Sequence, residues 1–169
     1  MPHSFNNMKI IVWAKKKFGK VALNYRQKAI LAFEERLSKV PGAKTGDAIA
    51  PLKHTFLDGS YMRQITMPKG MLLTSKIHKI RHPYFIMKGD VSVLTEHGVV
   101  RLTAPYSGIT EAGTKRVLYM HENTVWITVH SNPDNKQDLK RIEKRIIAKN
   151  YGELPKWVNK RMEEVQCSK

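Results

Sequence analysis

The sequence predicts a mainly β protein: an antiparallel barrel or sandwich, with a helix before it and a helical tail after it. Three observations lead there. Residues 53–131 break into short β-rich runs, among them YMRQITM, LLTSKIHKIRH, YFIMKG, DVSVLTEHG, KRVLYM and TVWITVH. Turn signals such as PKG and APYSG separate these runs, and several short strands at this spacing mark an all-β sandwich or barrel. On either side of that stretch the apolar residues recur at threes and fours instead, which is the period of a helix.

The first helix is predicted over residues 24–40, NYRQKAILAFEERLSKV. Asn24 is its cap, and Ile30, Phe33, Leu37 and Val40 make one apolar stripe. Pro41-Gly42 ends it, and GAKTGDAIAP is a linker by composition. Within the β region, Val91, Val93 and Thr95 alternate with Asp90, Ser92 and Leu94, and Glu96-His97-Gly98 makes a hairpin turn between two runs. After Asn132-Pro133 the helical period returns. Leu139, Ile142 and Ile146 share a face, with Asp134 or Asn135 as cap, and LPKWVNKRMEEV reads as a last short helix anchored by Trp157. The organisation expected is a basic N-terminal segment (1–50), a barrel (51–131) and a helical tail (132–169).

Charge is the strongest compositional feature. The 169 residues hold 30 Lys and Arg against 14 Asp and Glu, a net charge of +16. Residues 1–45 carry +8, residues 46–131 carry +4 and residues 132–169 carry +4. Such a field attracts nucleic acid, anionic surfaces or acidic proteins, and it also serves solubility. The single cysteine, Cys167, excludes a disulfide scaffold and fits a reducing compartment. No apolar run approaches the roughly 20 residues of a membrane helix. The N-terminal charges follow the apolar run instead of preceding it, which is not the order of a secretory signal. A cytoplasmic protein is expected. Phosphate-loop, dinucleotide, CxxC and HExxH motifs are absent from the sequence.

The stretch GMLLTSKIHKIRHPYFIMKGDV (70–91) resembles the first motif of the cupin superfamily, written G, five residues, HxH, three or four residues, E, six residues, G. Counting back from Gly89, the family's glutamate position holds His82, its second histidine position His78 and its first Lys76. EAGTKR resembles the core of the second motif, PxGxxH, with Glu111, Gly113 and Arg116 at the matching positions, Arg116 standing where the family has its last metal-binding histidine. The segments HTFLDGSYMRQITMPKGMLLTSKIHKIRH and APYSGITEAGTKRVLYMHENTVWITVH also resemble cupin-like proteins carried in tailed-phage genomes. The likeness spans about residues 51–131. It implies a cupin-type antiparallel β-barrel (double-stranded β-helix), a homodimer formed through outer sheets or an exchanged strand, for which KIIVW at 9–13 is a candidate, and a site on inward-facing residues.

In an extended strand Lys76, His78, Ile80 and His82 point the same way, and Arg116 would point inward with Leu118 and Met120. Three readings of this group stay open. The histidines lie on an exposed face. They belong to an incomplete metal site, completed by His121, Glu122, Tyr119 or water. Or Lys76, His78, His82 and Arg116 form an anion pocket without metal, in which arginine supplies a fork and lysine a point charge. Tyr61, Phe85 and Trp126 are candidate wall residues, with Tyr61 assigned to the ligand. His130 closes its strand near the mouth.

Two functions follow as expectations. The first is a small-ligand-binding protein with a cationic, anion-accepting pocket, or with a divalent metal at His78 and His82. The alternative is a phage virion structural or assembly protein, located in the virion or the host cytoplasm. It would use the barrel as a scaffold and its basic surface to contact nucleic acid or virion proteins.

Overall fold

The computed structural model describes residues 23–44 and 50–167. Helix α1 (Tyr25–Leu37) precedes the strands β1 (Leu52–Leu57), β2 (Gly59–Met67), β3 (Leu72–Thr74), β4 (Ile77–His78), β5 (His82–Lys88), β6 (Asp90–Thr95), β7 (Gly98–Thr103), β8 (Tyr106–Thr110), β9 (Val117–Met120) and β10 (Thr124–Asn132). Helix α2 (Leu139–Ile146), strand β11 (Ile147–Ala148) and helix α3 (Lys156–Cys167) complete the chain. The candidate exchange strand at 9–13 lies outside the described residues.

Two antiparallel sheets carry the fold. One has the order β1-β2-β10-β5-β8 and the other β3-β9-β6-β7. From β2 onward the chain crosses repeatedly from one sheet to the other, and the late strand β10 returns to lie between β2 and β5. That strand order is a jelly roll, the double-stranded β-helix. The mainly β class expected from the short runs is therefore present.

The core lies between the sheets: Met67, Leu73, Tyr84, Ile86, Val91, Val93, Leu102, Leu118, Met120 and Trp126 are buried together. Each comes from the inward set of its strand, as Val91 (0% exposed) and Val93 (2%) show for β6. The β6–β7 hairpin turns through Glu96 and His97, pairing Thr95 with Gly98 as expected. Gly89 turns β5 into β6 at φ +100°, and a Cβ there would stand 2.7 Å from Thr124 Cα. Only glycine meets both demands without strain.

The helices differ from expectation in their limits. Asn24 caps α1 in a full capping box, its side chain accepting from Gln27 N while Gln27 returns a bond to Asn24 N. The helix stops at Leu37, before the predicted 40, and Val40 is exposed in the turn that follows. Glu34 of α1 ties the helix to the barrel by accepting from buried Lys115 (2.7 Å) and Thr74 (2.7 Å). Asp138, not Asp134 or Asn135, caps α2, because Asp134 is committed to ion pairs with Arg141 and Arg145. Trp157 is exposed and does not anchor α3. Val158, fully buried with Leu154 and Tyr151, is the anchor. The phase of the helix about its axis decided this, since adjacent residues point about 100° apart.

Candidate metal centre and anion cavity

The span 76–82 is not one extended strand, which corrects the alternation expected there. β4 is two residues long and pairs with β11, not with either main sheet. A bend at Lys79 and Ile80 follows before β5 begins at His82. Two bonds to distant parts of the chain hold the segment: Lys79 N donates to Ile146 O, and Gly113 N donates to His78 O, both at 2.8 Å. The bend turns Ile80 outward and still brings His78 and His82 to the same place. Both are buried, so the exposed-face reading falls.

A third imidazole meets them. His130, on the last turn-in of β10, lies with its ring centroid 4.3 Å from that of His82 and 5.3 Å from that of His78. One nitrogen of each of the three rings lies within 4.8 Å of the others. His121 is not the completing ligand: its Nε2 is 2.7 Å from Ser92 Oγ, and its ring packs edge-on against Tyr119. Sequence reading placed His130 at the mouth of its strand but could not join it to the pair. The antiparallel pairing of β10 with β5, which sets Thr128 opposite Tyr84, carries it there: His130 and His82 each lie two residues on from that pair.

The protonation of the cluster follows from its surroundings. His82 Nδ1 donates to the Ile80 carbonyl at 3.0 Å, so its buried Nε2 is a bare lone pair with no partner. His78 Nδ1 is likewise buried without a partner. His130 Nε2 is 3.2 Å from the Thr128 hydroxyl. Burial pushes the pKa of His82 down to about 4, with Arg116 adding to the effect. Burial pushes His130 down to about 3, with His82 and Arg63 adding to it. Burial, His82 and His130 drive His78 well below its ordinary value. Three neutral imidazoles in van der Waals reach are the donor set that Zn, Fe, Cu or Ni accepts. An imidazole whose other nitrogen donates to a backbone carbonyl is held in the ligating tautomer.

Next to the triad lies a cavity of about 110 Å³, lined by His78, His82, Arg63, Lys76 and Arg116 with apolar walls from Ile65, Met67, Leu73, Leu118 and Trp126. Arg116 points inward as expected: it is 8% exposed, donates to Thr110 Oγ1 at 2.9 Å and stacks its guanidinium 5.1 Å from the Tyr84 ring centre. Lys76 lines the wall with its ammonium paired to Glu143. Tyr61 is buried on the far side of His130, its hydroxyl 2.7 Å from His54 Nδ1, and it borders a second, smaller cavity instead of this one. Phe85 faces outward and lines no cavity wall among those described, whereas Trp126 does. Among the described residues, the ionisable wall groups of this cavity are histidines and cations, with no carboxylate.

No family model matches the sequence, and no curated protein matches it. Among solved structures, the chain is similar to an uncharacterised conserved protein with a double-stranded β-helix domain from Klebsiella pneumoniae. They share 12% identity over 55% of this chain and 85% of that one, at a TM-score of 0.45. A cupin-2 domain protein from Shewanella frigidimarina shares 7% identity over 48% of this chain and 80% of that one, at 0.41. A cupin domain from Bordetella pertussis shares 17% over 49% and 93%, at 0.40. The fold assignment rests on the strand order of this chain itself.

Proposed function

We propose that this chain is a cupin-type jelly-roll protein that binds a small anionic ligand beside a divalent metal held by His78, His82 and His130. One observation carries the reading. Two buried imidazole nitrogens with no partner belong to a three-histidine cluster on the wall of a cavity whose charged groups, among the described residues, are cations.

The residues fit a metal. The three rings are neutral, and three protein ligands leave room for a further ligand, as in metal sites that bind small molecules. Their position is displaced from the one the motif resemblance implied, because Lys76 and Arg116 occupy two of those places. A metal so placed would supply Lewis acidity to a bound oxygen. The chain's own residues do the rest. Arg116, fixed by Thr110 and Tyr84, presents a preorganised fork to a carboxylate or phosphate. Arg63 offers a second cation, and Leu73, Leu118 and Trp126 exclude water from the ligand's body. A cation beside a metal is unfavourable on its own, and an anion between them removes that repulsion.

The test is metal analysis of the purified chain, followed by titration of the metal-free protein with Zn²⁺ and Co²⁺. One bound ion per chain is expected, lost when any of the three histidines becomes Ala. Wild-type protein that binds neither ion at micromolar concentration rejects the metal. Thermal-shift screening with small carboxylates and phosphates, with and without metal, then tests the anion.

The same reading includes a homodimer. The outer face of the larger sheet exposes Phe85 (36%), Met87 (59%) and Ile109 (48%), which a second copy would cover. Light scattering of the purified chain decides it. The likeness to phage-carried proteins supports a location in the host cytoplasm or the virion, which mass spectrometry of purified particles checks.

A further inference from the structure

A second concavity, far larger than the histidine cavity, runs between α1, the β3–β4 segment, α2 and β11. Its volume is about 1240 Å³. Residues Leu73 to Lys76 form the wall that separates the two spaces, since they line both. Among the described residues the charged lining of this groove is seven lysines and three glutamates.

The ion pairs sort these groups. Glu34 is committed to Lys115, and Glu143 to Lys76. Glu153 accepts from the backbone N of Lys149 at 3.0 Å. That leaves Lys44, Lys79, Lys140, Lys144 and Lys149 around a groove with one further carboxylate. Lys79 donates to the carbonyl of Lys144, a bond that positions its ammonium on the groove without cancelling its charge. A cleft lined by one sign of charge with low-dielectric walls focuses the field into itself. Here Leu37, Met71, Leu72 and Ile147 supply those walls.

Among the described residues the lining contains neither arginine nor an aromatic ring. Without a fork or a stacking platform, the groove has no means to read a base or to select a planar carboxylate. Several point charges along one groove suit a backbone whose anions repeat along its length. A cleft, unlike a flat or convex face, reaches such a backbone from two sides when it is a single strand. The chain's own remaining segments do not complement it: residues 1–22 carry five lysines and no acid.

We propose that this groove binds single-stranded nucleic acid through its phosphates, with little preference for sequence. The site is separate from the histidine cavity and does not depend on what that cavity holds.

Fluorescence anisotropy of the full chain with a labelled 20-nucleotide oligo-dT tests it, at salt from 50 to 200 mM. Lys140→Glu/Lys144→Glu/Lys149→Glu changes three exposed side chains and is expected to weaken binding at least about tenfold. It should also flatten the slope of log K against log salt by about 2, from roughly 0.7 per lost phosphate contact. Two controls carry the same charge change elsewhere: Lys53→Glu/Lys69→Glu/Lys88→Glu on other surfaces, and Lys15→Glu/Lys16→Glu/Lys17→Glu near the N-terminus. Each is expected to change affinity less than threefold. Circular dichroism confirms that each variant is folded, and Lys44→Glu/Lys79→Gln replaces the first variant if it is not. Equal losses in a control and in the groove variant overturn the proposal, since net charge would then explain binding. Binding of poly-glutamate as tight as that of oligo-dT overturns it in favour of an acidic polypeptide, and absence of oligo-dT binding at 50 mM salt overturns it outright.

Discussion

The rings of His78 and His130 lie nearly parallel, 8° between their planes and 5.3 Å between centroids, although one sits on the two-residue strand β4 and the other on the nine-residue strand β10 of a different sheet. His82 tilts across both, 4.2 Å from His78 and 4.3 Å from His130. Each ring is buried, and each is neutral because burial opposes its charge. The arrangement is therefore a donor cluster built into the end of the barrel, and it makes His130 the equal of the two histidines that sequence alone picks out.

Replacing His130 with Ala should lower the affinity for Zn²⁺ or Co²⁺ at least about 100-fold, beyond the 10–100-fold typical for groups that only orient a ligand. His78→Ala and His82→Ala should match it, and His121→Ala should bind as wild type. Competition titration against a chromophoric chelator reads all four. Retention of metal by His130→Ala removes the triad.

The metal-free protein should lose stability on acidification. All three histidines have pKa values below the ordinary value near 6.5, His82 at about 4 and His130 at about 3. Between those values and 6.5 the unfolded chain binds more protons than the folded one, so unfolding free energy falls as pH falls through that window. The contributions of His82 and His130 are full above pH 6.5 and level off below about pH 4 and about pH 3. Urea unfolding at steps from pH 7 to 4 should show the decline, and His130→Asn should make it shallower.

Arg116→Met should abolish the thermal shift caused by any small anion that stabilises the wild type. The substitution keeps an unbranched side chain that reaches as far as the Nε position but removes the one cation that is fixed in the cavity by both Thr110 and Tyr84. Zn²⁺ affinity should stay the same or rise, since Arg116 opposes positive charge on His78 and His82. Loss of metal binding with the anion effect intact would reverse the roles assigned here.

Gly89→Ala should destabilise the fold by at least about 2 kcal/mol. A left-handed backbone costs roughly 1–2 kcal/mol for a residue with Cβ, and the added carbon would press on the Thr124 backbone. Gly98→Ala, at φ +128° with open space around it, pays the conformational cost alone and should lose less. Thermal melts of the two variants give the comparison.

Val158→Ala should cost about 1–2 kcal/mol, in line with two buried carbons at ~0.8 each, because Val158 is fully buried against Leu154 and Tyr151. Trp157→Ala, at 56% exposure, should cost less than about 1 kcal/mol despite the larger residue. Chemical denaturation measures both.

The sequence by itself determined the mainly β class, the hairpin at Glu96-His97, the cap at Asn24 and the inward set on β6. Each depends on neighbours within a few residues: a period of two or of three and four, a turn residue, a side chain reaching its own backbone. It also singled out His78, His82 and Arg116 as candidate site residues, although the strand used to argue for the histidines is broken by a bend and their burial was left open. Only the tertiary structure decided that His130 completes the cluster, that Tyr61 belongs to a different cavity, that Lys76 is paired with Glu143 and that Val158 instead of Trp157 anchors the last helix. Those facts depend on which strands lie side by side and on how a helix is rotated against the barrel. Local spacing carries no record of either, because β4 finds β11, and β10 finds β2 and β5, only after the whole chain has closed around one core.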